Sequence, residues 1–78
     1  MLDLSHIILN EFDIARFARK TEAKALARAR NWNSTDVIQA FNRFQIFWVV
    51  GERLDNNLRL ATRSGQTVFI PYREEIRA

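Results

Sequence analysis

Residues 43–57, RFQIFWVVGERLDNN, carry five consecutive large apolar side chains, Ile46 to Val50, with Phe44 just upstream and a turn signal just beyond. A short apolar run does not disclose its own secondary structure, because a buried strand and a buried stretch of helix share one composition. Its β-branched and aromatic content, Gly51, and the turn signals LDNNL and RSGQ favour strands. The reading is a meander with strands at about 45–54, 58–63 and 66–72, in which Pro71, lacking a donor, suits an edge. The competing reading carries a preceding helix on through Trp48 to about Arg53 and leaves a single hairpin.

Upstream of this run the composition is helical. From Leu4 to Arg30, Ala, Leu, Arg, Glu and Lys dominate, without Gly or Pro. On one continuous helix Glu22 falls among the apolar positions, a conflict removed by a break at KTEA with Thr21 as a cap. Two helices, 4–19 and 22–31, are therefore expected, with one long helix as the alternative. In NWNSTDVIQAFNRF, Asn33 or Ser34 offers a capping oxygen, Asp36 favours a first turn, and Val37, Ile38, Phe41 and Phe44 recur at helical spacing. A third helix over 34–44 follows. The fold class expected is α+β, N-terminal helices before a C-terminal antiparallel meander or hairpin, in a single domain over 1–78.

The order of elements resembles that of winged-helix DNA-binding domains over residues 22–72, with 22–44 in the helix-turn-helix position. The likeness is one of architecture and rests on no diagnostic motif. It implies that Thr35, Gln39, Asn42 and Arg43 would face base edges.

Composition narrows the chemistry. A chain of 78 residues buries only about 60% of the surface of its unfolded form, so its stability is marginal without a staple. With no cysteine and one histidine, neither a disulfide nor a thiolate or imidazole metal site is available, and no metal or cofactor is expected. The remaining way to bury 47% hydrophobic residues is association, hence a homodimer. Charged residues at Glu11 and Asp13 interrupt the first apolar run, so neither a signal peptide nor a spanning helix is expected; the chain reads as cytoplasmic, with no membrane partner.

Catalysis finds little support. His6, with Asp3 and Asn10 at helical spacing, lacks a nucleophile and a second base. Glu74 and Glu75 are adjacent and do not face each other. The only glycines, Gly51 and Gly65, make no phosphate loop. A ribonuclease-like set of Arg59, Arg63, Tyr72, Arg73 and Glu74 rests on composition alone. The chain reads as non-enzymatic, with no small-molecule substrate.

Charge says more. Net charge is +3, and residues 16–30 alone carry +5. Arg16, Lys20, Lys24 and Arg28 step by four, with Arg19, Arg30 and Phe17 alongside, a stripe that can track a phosphate backbone if the helix is continuous. Arg59 and Arg63, beside Phe47 and Phe69, extend it on the sheet. The plain alternative is a solvated face, since acidic residues early and basic residues late in a helix suit its dipole. Binding of DNA or RNA through these eight cations is the first expectation. The second is a homo-oligomeric adaptor or inhibitor that docks an acidic protein through an Arg/Phe surface, anchored by Trp32, Phe47, Trp48 and Phe69.

Overall fold

The computed structural model describes residues 1–33 and 35–72. Its centre is a five-stranded mixed sheet in sequential order, β1 (Leu2–Asp3), β2 (Val37–Phe41), β3 (Ile46–Arg53), β4 (Asn57–Ala61) and β5 (Thr67–Pro71). One helix, α1 (Lys20–Ala29), is present among the described residues. β1 runs parallel to β2, and the other neighbours are antiparallel. The expected succession of three helices and then a meander is therefore wrong, and the winged-helix likeness goes with it. Strands do occupy 46–53, 57–61 and 67–71, but as part of a larger sheet that begins at residue 2.

Two helices are missing for identifiable reasons. In 4–19, Leu4, Leu9 and Ile14 are buried with Leu2 of β1 against the sheet, at spacings with no helical period. Short polar residues turn the chain between them. The Asp3 carboxylate accepts the Ser5 amide at 2.9 Å, the Asp13 amide donates to the Asn10 carbonyl at 3.1 Å, and Asp13 takes the left-handed conformation that Asp tolerates. In 34–44, the spacing of Val37, Ile38 and Phe41 fits a helix, but it fits equally a strand covered on both faces. Val37 packs on the α1 side, while Ile38 and Ala40 pack on the other. Ser34, chosen as a helix start, lies outside the described residues.

The motif taken for a helix start is a helix stop. Asn31, at φ 60°, ends α1; its amide donates to the Arg28 carbonyl at 3.3 Å and the Trp32 amide to the Ala27 carbonyl at 2.8 Å. This is a Schellman pair, for which Asn is a usual substitute for Gly. At the other end α1 begins at Lys20, with Arg19 as an extended N-cap that makes no side-chain capping bond.

β3 changes partners along its length. Ile46 to Val50 pair with β2, and Gly51 to Arg53 pair with β4. Where β4 diverges, residues 14–17 fill the gap: the Phe17 and Trp48 amides donate to each other's carbonyls at 2.9 and 2.7 Å, and the Ala15 amide donates to the Ala61 carbonyl at 3.1 Å. At the crossover only glycine fits, because a Cβ on Gly51 would stand 2.6 Å from the Arg59 carbonyl oxygen and against the Leu60 side chain.

Register decides the faces. Gly51 lies opposite Leu60 and Glu52 opposite Arg59, so Phe47 and Val49 share a face with Leu58, Leu60 and Ile70. Trp48 and Val50 share the α1 side with Ala61. The alternation expected from sequence set Ile46, Trp48 and Val50 with Leu58 and Leu60, which is wrong by one residue at the β3–β4 pairing, and such a slip exchanges the two faces. The chain thus has two apolar clusters, one under the 4–14 segment and one under α1.

Candidate nucleic-acid interface

The fold treats the eight cations singled out by sequence in two ways. Four are engaged in structure. Arg16 precedes α1, donates to Asn10 Oδ1 and lies 5.9 Å from the Phe47 ring. Arg30 donates to the Thr62 and Arg63 carbonyls, the latter at 3.3 Å, tying the end of α1 to the end of β4. Arg63 pairs with Asp13 at 2.9 Å, and the other Asp13 oxygen accepts the Ser64 amide at 3.2 Å. Arg59 has its guanidinium carbon 4.0 Å from the Trp32 ring and its Nε 2.8 Å from Glu52 Oε1. That contact is an ion pair by distance but leaves the Arg59 Nε–H without an aligned hydrogen bond.

The other four, Arg19, Lys20, Lys24 and Arg28, lie on or just before α1, and none forms an ion pair among the described residues. Ala23 and Ala27 face the sheet. At 100° per residue, Lys20, Lys24 and Arg28 follow one flank from the sheet margin outward, and Glu22 falls on the opposite flank. Successive members are about 6 Å apart along the axis. The innermost, Lys20, rests its ammonium 5.3 Å from the Trp48 ring.

The stripe expected on a continuous helix does not form. Arg16 sits over Phe47 and Lys20 over Trp48, and these adjacent strand residues point to opposite faces of the sheet. Phe17, expected within the stripe, packs under α1 instead.

The proposed partner anchors are also divided. Phe47 is buried; Trp32 and Trp48 are half-buried, each with a cation over its ring; Phe69 is 60% exposed, across from Arg59. The most exposed apolar side chain lies elsewhere, at the β2–β3 turn, where Phe44 is 88% exposed, near the also exposed Met1 and Ile46; Ile8 is exposed as well, apart from this turn. Sequence reasoning spent Phe44 on a helix face. The signal was Asn42, a turn former whose Oδ1 accepts the Phe44 and Gln45 amides at 3.0 Å each. The same turn carries the exposed Arg43.

His6 is exposed, and its neighbour Asp3 is engaged with Ser5, whose hydrogen bonds hold the Asp3 carboxyl below the usual carboxylate range. No group of three or more His, Cys, Asp or Glu side chains among the described residues could hold a metal ion. No described helix is long and apolar enough to cross a membrane. Arg73, Glu74 and Glu75 lie outside the described residues, and with them the ribonuclease-like set and the carboxylate pair. Comparison with protein-family models, with curated proteins and with solved structures gave no match.

Proposed function

We propose that this chain is a small, non-enzymatic nucleic-acid-binding protein that meets the phosphate backbone through the exposed flank of α1. The observation that carries this reading is the line Lys20, Lys24, Arg28 along one flank of α1, with Arg19 at the N-cap. These cations have no carboxylate partner among the described residues, whereas Arg30, Arg59 and Arg63 are held by structural partners. A side chain already paired gains little from a phosphate. An unpaired one gains the release of the phosphate's condensed counterion. A cysteine-free chain fits a reducing compartment, and we take it to act in the cytoplasm.

Fluorescence anisotropy of labelled oligonucleotides at rising salt tests the reading. Three phosphate contacts give a slope of about −2 to −3 in log K against log salt. Reversing Lys20, Lys24 and Arg28 together to Glu removes that slope and lowers affinity on the order of 100-fold or more, with the circular dichroism unchanged. Binding that survives the triple reversal would discard α1 as the contact.

The second reading is a homodimeric adaptor that docks an acidic protein. Exposed Phe69 beside Arg59 is the observation in its favour. It predicts no oligonucleotide binding at any salt concentration and a dimer in sedimentation at low micromolar protein.

A further inference from the structure

The β2–β3 turn is well fixed and yet presents its largest apolar side chain to water. Phe41 and Ile46 pair across the strands, the Asn42 amide donates to the Gln45 carbonyl at 3.0 Å, and Asn42 Oδ1 holds two more amides. Phe44, on this frame, is 88% exposed, so the fold derives almost no burial from it. Together with Met1, Phe41 and Ile46 it borders an open hollow of about 550 Å³, within the size range of sites that hold organic ligands.

Charge says what fits there. Two further hollows adjoin the same turn, one beside Ser5 and Ile7, the other beside Arg16, Phe17 and Ala18. Among the residues that border the three, the charged side chains are Arg16 and Arg43, with no carboxylate. A second copy seated here about a two-fold axis would bring two Arg43 side chains, and no carboxylate bordering these hollows, into one interface between chains that each carry +3. The complementary occupant is flat or apolar and bears negative charge.

The turn also connects with α1. Ile46 and Trp48 are two residues apart on β3, hence on one face and about 7 Å apart. Lys20 covers the Trp48 ring, and Lys24 and Arg28 continue from it. Apolar surface at the turn therefore leads into the cations of the helix.

We infer that this turn is a base-stacking platform and that the partner is a single-stranded nucleic acid, its unpaired bases on Phe44 and Phe41 and its phosphates on Arg43 and α1. The inference rests on the nucleic-acid reading of α1. A duplex offers α1 the same phosphates, but its base faces are already stacked. Only an unpaired strand can use the turn.

The test compares labelled oligothymidylate with a duplex of equal length at one salt concentration. The wild-type chain binds the strand more tightly. Phe44→Ala weakens strand binding roughly 5- to 150-fold, the worth of one stacked base, and leaves duplex binding and thermal midpoint unchanged. Phe44→Trp restores strand binding. If strand and duplex bind equally and Phe44→Ala changes neither, the platform is overturned while the α1 reading stands. If neither oligonucleotide binds, the α1 reading falls and the platform with it. A wild-type dimer that Phe44→Ala converts to monomer would overturn the platform in favour of a second copy.

Discussion

The two ends of α1 use the same residue type for opposite purposes. At its C-terminal end Arg30 reaches the Thr62 and Arg63 carbonyls, and Arg63 in turn grips Asp13, so the cations there close the molecule. Along its outer flank Lys20, Lys24 and Arg28 have the length and charge to do likewise, but none of them forms an ion pair or side-chain hydrogen bond among the described residues. The difference lies in what stands opposite. Opposite Arg30 stand the carbonyls of Thr62 and Arg63, and opposite Arg63 the Asp13 carboxylate, and these guanidiniums bond to them. On the helix flank Lys20 and Arg28 are exposed and Lys24 is half-buried, and no carboxylate pairs with their charges among the described residues. Counting basic residues in the sequence could not separate the two groups.

That contrast can be broken most severely at α1 itself. The triple reversal at Lys20, Lys24 and Arg28 is expected to remove nucleic-acid binding on the order of 100-fold while leaving the fold intact, because Lys20 and Arg28 are exposed and Lys24 is only half-buried. A variant that binds poorly because it has unfolded would erase the distinction, and a urea melt beside the binding curve decides between these outcomes.

Next in size is the framework on which both regions sit. Gly51→Ala pushes a methyl group onto the Arg59 carbonyl at the β3–β4 crossover. A loss of about 1–3 kcal/mol is expected from this overpacking, seen as a lower urea midpoint at unchanged slope. An alanine variant as stable as wild type would show that the crossover has room for a methyl group.

A matched pair sharpens the comparison further. Arg30→Ala leaves the Thr62 carbonyl short of a charged donor and should cost about 1–2 kcal/mol of stability with little effect on binding. Lys24→Ala should move stability by less than about 0.5 kcal/mol and reduce the salt slope by about one. Exchange of these two outcomes would reverse the assignment of roles.

The smallest effect concerns Asp3. Its carboxyl is held below the usual range in the folded chain by hydrogen bonds from Ser5. A depressed folded value means that the contribution is present above the ordinary carboxylate pKa and is lost as pH falls through the lowered one. Asp3→Asn should therefore lower stability slightly at neutral pH, leave it unchanged at pH below the lowered value, and so flatten the acid limb of a stability–pH profile.

The sequence located some of this and misdirected the rest, in ways that trace to particular residues. A helix was legible in KTEAKALARA, where strong helix formers meet Glu early and Arg late, but it was expected at 22–31 with Thr21 as its cap, whereas α1 runs Lys20–Ala29 with Thr21 inside it. Strands after residue 45 were legible from IFWVV and from turn chemistry at DNN and SG. The stretch IILNEFDIARF was not, because its helix-compatible composition is overridden by Leu9 and Ile14 packing on a sheet whose other strands lie more than twenty residues away. Of the candidate site, Lys20, Lys24 and Arg28 lie along one flank of α1, whereas Arg16, expected in line with them, precedes the helix and lies over Phe47. Phe44 was spent on a core that does not contain it.

By itself, the sequence determined a small, cysteine-free, basic α+β chain, the place of one helix, and the segments that form its last three strands. These follow from composition and short-range chemistry, which act within a few residues. Only the tertiary structure decided that β1 and β2 join those strands, which face each strand residue takes, and which cations are clamped. Pairing register and the acceptor opposite a guanidinium are set by residues distant in the chain, and no local pattern encodes them.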